Sequence, residues 1–154
     1  MSGNAPEIDL PQLPNARVAI ISSSWHLDIC NDLIAGAERA LAAAAIKNVE
    51  VIYVPGSFEI PLASQIAFEK GFDAVVAVGL VLEGQTPHFD YVCQGVTQGV
   101  MDVSLKFSAP IGFGVLMCNT LDQAVARSGR PGSSEDKGYD GAVAAIKLLQ
   151  LKEG

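Results

Sequence analysis

Cysteine, histidine and tryptophan are all scarce in this chain of 154 residues: three, two and one, respectively. Cys30, Cys93 and Cys118 are odd in number, far apart and outside any CxxC. Each lies among apolar neighbours, which predicts reduced core cysteines in a cytoplasmic protein and neither a disulfide framework nor a structural metal site. Basic residues are few as well. Ten Lys and Arg against seventeen Asp and Glu give a formal charge of −7, with no Lys/Arg cluster. That balance argues against nucleic acid or an acidic membrane surface as a partner. No uninterrupted apolar run approaches the roughly 20 residues a membrane helix needs. The opening "MSGNAPEIDLPQLPNAR" has no basic stretch followed by an apolar one, so no secretory signal is read there.

What is abundant is apolar. Hydrophobic residues make up 49% and charged residues 18%, a core-rich globular composition of one-domain length. Mean hydropathy is +0.31. Without a membrane segment, the surplus apolar surface is expected between subunits. Residues 1–16 contain Pro6, Pro11 and Pro14 and are expected to be extended or loosely ordered, or laid along a neighbouring subunit. Residues 17–154 then read as a single α/β domain.

Apolar runs alternate with helical patterns along that domain. Strands are expected at Arg17–Ser24, Asn48–Gly56, Asp73–Leu82 and Pro110–Cys118. The third is apolar on both faces, as suits a central parallel strand. Leu27, Cys30, Leu33, Ile34, Ala37 and Leu41 recur at three- and four-residue spacing, so a helix follows the first strand. Further helices are expected at Glu59–Gly71, with Gly71 as its stop, and at Pro87–Ser108, with Thr86 as its cap. Thr120 with Gln123 has the spacing of a capping box, opening a helix that runs to Arg127. A last helix is expected from Tyr139 to about Leu151. This alternation predicts a doubly wound, flavodoxin-like, four-stranded parallel sheet with helices on both faces. Such folds hold ligands at the carboxyl ends of their strands.

The segments at those ends carry the candidate chemistry. Trp25 is either a core or interface tryptophan or a flat surface that stacks a planar heterocycle. In "PGSFE", Gly56 allows a ligand near the backbone, and Ser57 and Phe58 follow at the turn. Glu59 is either a carboxylate favoured at a helix start or an acceptor for sugar hydroxyls. Gly84, Gln85 and Thr86 lead into a helix start, where free N–H groups suit a single phosphate. No GxxxxGK[ST] is present, so a nucleotide triphosphate tail is not expected. His88 lies in the first turn, where the dipole favours a neutral ring able to relay protons; a structural histidine is the alternative. Arg127 either complements the end of its helix or clamps a phosphate with parallel bonds. Lys137 reads as a solvated charge after a loop, and His26 has no evident role.

The stretches "VPGSFEIPLA" and "GQTPHFDYVCQGVTQGVMDVSL" resemble the 6,7-dimethyl-8-ribityllumazine synthase family. "AIISSSW", "DAVVAVGLVLEG", "FGVL", "QAVARSG" and "DKG" extend the resemblance over roughly residues 17–150, in order. It implies the flavodoxin-like fold and the penultimate reaction of riboflavin biosynthesis, without metal or organic cofactor. Two small-molecule substrates, 5-amino-6-(D-ribitylamino)uracil and 3,4-dihydroxy-2-butanone 4-phosphate, are condensed. By the same resemblance, Trp25 stacks on the pyrimidine, and Ser57, Phe58 and Glu59 hold the uracil edge and ribityl chain. Val81 and Leu82 wall the ring, Gly84, Gln85 and Thr86 bind phosphate, and His88 transfers protons. Phe113, Arg127 and Lys137 come from the adjacent subunit, Phe113 and Lys137 toward the pyrimidine and ribityl chain and Arg127 on the phosphate.

Glu83 departs from the family, which usually carries arginine or another basic residue there. The segment between Arg127 and Lys137 is longer than in many shell-forming members, which implies a homopentamer and not a sixty-subunit capsid. Two other readings fit the same chain: a non-catalytic protein that holds riboflavin or a lumazine, and a structural shell in which assembly is the function.

Overall fold

The computed structural model describes residues 7–154, so Pro6 and the rest of the first six residues lie outside it. Residues 7–16 form no helix or strand, yet they are anchored on their own domain. Leu13 and Ala16 are buried, the Leu13 N–H donates to the Ala44 carbonyl (2.8 Å), and the Gln12 amide donates to Ala43 (3.0 Å).

Strands and helices alternate as far as β4, which two helices follow: β1 (Arg17–Ser23), α1 (Leu27–Ala43), β2 (Asn48–Val54), α2 (Ile60–Glu69), β3 (Ala74–Leu82), α3 (His88–Phe107), β4 (Ile111–Cys118), α4 (Leu121–Arg127) and α5 (Lys137–Glu153). The strands are all parallel, in the order β2-β1-β3-β4. This is the flavodoxin-like order, and helices cover both faces. Val18 and Ile20 of β1 with Val76 and Val78 of β3 face α1 and α5. Ala19, Ile21, Val75 and Ala77 face the other way, toward α2 and α3. Fully burying each branched side chain contributes about 1.5–3 kcal/mol, which is why the β3 run "AVVAVGLVL" belongs at the centre.

The elements differ from expectation mainly at their ends. β2 stops at Val54, because Pro55 has no N–H to continue the ladder. β3 starts at Ala74, with Asp73 instead accepting from the Arg17 N–H through its carboxylate (2.8 Å). A 3-10 turn, Ser57–Glu59, precedes α2, and Gly71 (φ 93°) lies just beyond that helix. α3 begins at His88 with no side-chain cap, so the expected Thr86 cap is not formed; the Pro87 carbonyl accepts the first helical bond instead. Gln123 donates to the Thr120 hydroxyl as foreseen (3.3 Å), but its side chain reaches back to Asn119 N (2.8 Å), one residue earlier than a capping box requires. α5 starts two residues before Tyr139, because Asp136 caps it by accepting from the Tyr139 N–H (3.1 Å). Leu27, expected in the buried stripe of α1, is exposed.

Helix α5 lies unusually close to its neighbours. A Cβ at Gly138 would overlap the Leu33 carbonyl of α1. One at Gly114 of β4 would come within 3.0 Å of the Lys137 carbonyl. The start of α5 is therefore held beside β4.

Candidate active site

The chain leaves β1 toward β2 on one side and returns on the other as β3. The crevice above β1 and β3 is thus the switch point at which doubly wound folds bind ligands. The segments that follow the four strands lie along this edge. Ser24 joins the loops after β1 and β2, its N–H donating to Pro55 (3.3 Å) and its hydroxyl to Val54 (2.8 Å). Trp25 follows, 68% exposed, with its indole against Gly56. That exposure disposes of the core reading of Trp25 within one chain. Glu59 accepts from the Gly56 N–H (2.9 Å), which shapes the turn between them. Phe58 is exposed and lies against Gly95 of α3.

Beneath these sits Ser57, buried, with a hydroxyl that has no hydrogen-bond partner among the described residues. A Cβ on Gly79 of β3 would lie 2.7 Å from the Ser23 hydroxyl and 2.8 Å from that of Ser57. Glycine therefore makes room for two hydroxyls under the crevice. Ser23 and Gly79 were not among the expected site residues. The available signal was the serine pair at the end of the otherwise apolar "AIISS", which is buried in full.

Val81 and Leu82, half-buried, close β3 on the other flank. The Glu83 N–H continues the pairing with β4 by donating to Cys118 (2.9 Å), and its carboxylate accepts from the Asn119 side chain. Gly84, Gln85, Thr86 and His88 are exposed. They form an uncapped helix start, whose N–H groups and positive dipole end are open to an anion.

Phe113, Arg127 and Lys137 form a second group. Phe113 is 40% exposed in the body of β4, paired with Ala77. Cys118 lies five steps further along, about 16 Å of strand. Lys137 lies beside Gly114. Its ammonium is 3.1 Å from Glu135 and 3.7 Å from Asp140, and Arg127 is 3.4 Å from the same Glu135. Lys137, expected as a solvated charge on the simplest reading, is thus paired. Arg127 also donates to the Gln123 carbonyl (2.9 Å), the helix-end role foreseen for it. Burial pushes the Asp140 carboxyl up from its ordinary range, opposed by Lys137. Among the described residues, no hydrogen bond or ion pair joins Arg127 or Lys137 to His88 or to residues 84–86. Within one chain, no direct contact therefore links the two groups.

Cys30 and Cys118 are buried, and burial raises both thiols. Cys93 corrects the expectation of three core cysteines. It is half-buried and lines an open groove of about 850 Å³ between Phe58 and α3, with Tyr91, Gln98 and Met117. Among the described residues, no helix is long and apolar enough to cross a membrane.

Fold and site together define a flavodoxin-like α/β domain with an aromatic, hydroxyl-lined crevice at the carboxyl edge of its sheet. The model of the 6,7-dimethyl-8-ribityllumazine synthase family matches residues 15–153. Relatives bearing that name include one from Streptomyces coelicolor, 49% identical over 95% of this chain and 91% of its own. Another, from Pseudarthrobacter chlorophenolicus, is 50% identical over 95% of this chain and 94% of its own. A third, from Mycobacterium sp. (strain KMS), is 46% identical over 100% and 97%. The chain belongs to the 6,7-dimethyl-8-ribityllumazine synthase family, whose enzymes catalyse the penultimate step of riboflavin biosynthesis.

Proposed function

We propose that this chain condenses 5-amino-6-(D-ribitylamino)uracil with 3,4-dihydroxy-2-butanone 4-phosphate in a site completed by a neighbouring copy. The observation that carries this reading is the buried, unpartnered Ser57 hydroxyl under an exposed Trp25, beside an uncapped helix start. Trp25 stacks the pyrimidine, and Ser57, Phe58 and Glu59 hold its edge and the ribityl chain. Val81 and Leu82 wall the ring. Gly84, Gln85 and Thr86 receive the phosphate.

The chemistry suits this set. The uracil amine attacks the ketone and loses water to give a Schiff base. Inorganic phosphate then leaves, the ring closes, and a second water is lost. Each step moves protons, and His88, at the helix start beside the phosphate turn, relays them. Holding two substrates together supplies up to about 7–11 kcal/mol in favourable cases. A fixed cation at Arg127 stabilises the departing phosphate.

The neighbour is needed because Phe113 is about 16 Å down its strand from the crevice edge of β4. A head-to-tail interface that closes into a ring brings the second group of each copy to the first group of the next. The long connection between Arg127 and Lys137 favours a pentamer. The proposed setting is the cytoplasm.

Mixing both substrates with the purified protein tests the reading through the lumazine absorbance. No change at millimolar phosphate substrate overturns it, and tight flavin binding without turnover supports a storage protein instead.

A further inference from the structure

Glu135 touches both cations of the second group. One carboxylate oxygen is 3.4 Å from Arg127 Nε, and the other is 3.1 Å from Lys137 Nζ. The two cations come from different elements, the end of α4 and the start of α5. Glu135 is itself held by its backbone. Its N–H donates to the Ala126 carbonyl (3.0 Å), and its carbonyl accepts from the Gly129 N–H (3.1 Å). Its side chain is 18% exposed, against 42% for Arg127 and 27% for Lys137.

A partly exposed ion pair adds little to stability. What this one provides is geometry. Arginine and lysine are long and rotamer-rich, and a carboxylate pinned by backbone bonds at both ends of its residue restricts them. Restricting a binding group before the ligand arrives lowers the ordering cost of binding.

We propose that Glu135 is a positioning residue for the phosphate end of the shared site. It holds Arg127 and Lys137 as one unit, at fixed spacing, to meet the phosphorylated substrate that the neighbouring copy's 84–86 turn receives. The inference rests on the reading of Arg127 as the phosphate cation of that site; the shared Glu135 places Lys137 beside Arg127, at the phosphate end and not at the pyrimidine and ribityl chain where the resemblance puts it. Glu135 acts through them and does not touch the substrate.

Steady-state kinetics on the full-length, assembled enzyme test this, with each substrate varied in turn. E135A is expected to raise KM for the phosphate substrate five- to tenfold, with kcat and KM for the pyrimidine substrate within twofold. E135Q keeps the shape but not the charge and is expected to raise the same KM two- to threefold; it serves also if E135A does not fold. In the R127A/K137A background, E135A is expected to change kcat/KM no further. Unchanged KM in E135A and E135Q, while R127A and K137A each raise it, overturns the inference alone and leaves Glu135 as a loop anchor seen only in Tm. A lower KM in E135Q overturns it too, making the residue a neutraliser. Silence of R127A and K137A removes the underlying reading of the cations, and the inference with it.

Discussion

The side-chain amide of Asn119 donates to the carboxylate of Glu83, tying the residue after β3 to the residue after β4. The family resemblance puts a positive charge at position 83, beside the turn proposed for phosphate. The structure holds the carboxylate at the β4 end, so its effect on a bound phosphate is a through-space one.

A repulsion of this kind is worth about 1 kcal/mol in a water-like dielectric, or about fivefold in affinity. E83Q is therefore expected to lower KM for the phosphate substrate by up to about fivefold at low ionic strength. The gain should shrink in molar salt, where screening acts over about 3 Å. N119A, which frees the carboxylate, should raise the same KM. Identical KM values for E83Q and the parent at low salt would show that the charge does not reach the phosphate.

Ser57 and Gly79 make a second prediction about the crevice. The Ser57 hydroxyl is buried without a partner, a desolvation cost of about 1–3 kcal/mol. S57A should raise stability by about 1 kcal/mol in urea titrations, while raising KM for the pyrimidine substrate. G79A adds a methyl group 2.7 Å from one hydroxyl and 2.8 Å from another, within a central strand that cannot move aside. It should lose about 1–3 kcal/mol. A stable G79A protein with normal kinetics would remove the packing argument.

The proposed supply of His88 and Arg127 by different copies can be tested by complementation. H88A should reduce kcat by about 10²- to 10⁴-fold, as loss of a proton relay does. R127A should raise KM for the phosphate substrate about tenfold or more, the worth of a charge-assisted bond. Co-expressed, the two variants should regain activity, because about a quarter of random head-to-tail interfaces then join an intact His88 to an intact Arg127. Light scattering should find a mass near five chains. Activity of the mixture no higher than that of either variant would place both residues in one chain's site.

Asp140 predicts a pH effect. Burial raises its carboxyl, with Lys137 opposing, so the folded protein binds this proton more tightly than the unfolded chain. The associated stability is fully present below the ordinary value of 3.8 and is lost as pH rises through the raised folded value. At neutral pH, D140N should therefore be slightly more stable, by under about 4 °C in Tm. The difference should fade toward pH 3. A D140N protein less stable than the parent at pH 7 would mean that the pairing with Lys137 outweighs desolvation.

Much of this was legible in the sequence. The four strands follow from short apolar runs, and α1 follows from the three- and four-residue spacing of Cys30 through Leu41. Thr120 announced α4 as its cap. Thr86 misled: threonine before proline has the chemistry of a cap, but Pro87 itself supplies the first accepting carbonyl of α3. Cys93 misled too, since apolar neighbours along a helix do not say which face is covered. Trp25, Phe58 and His88 could be placed at strand ends because turns there are set by local residues.

By itself, then, the sequence determined the order of elements, the doubly wound class and the edge of the sheet where the candidate site residues Trp25, Ser57, Phe58 and His88 gather. These follow from local periodicity and turn chemistry, which act over a few residues. Only the tertiary structure decided that Glu83 is held by Asn119, that Glu135 bridges Arg127 and Lys137, and that Gly79 shelters two hydroxyls. Each of these depends on distances of a few ångströms between side chains brought together by packing. Such distances are set by how closely whole elements approach, as where bare Gly138 lets α5 meet the Leu33 carbonyl, and no local pattern carries them.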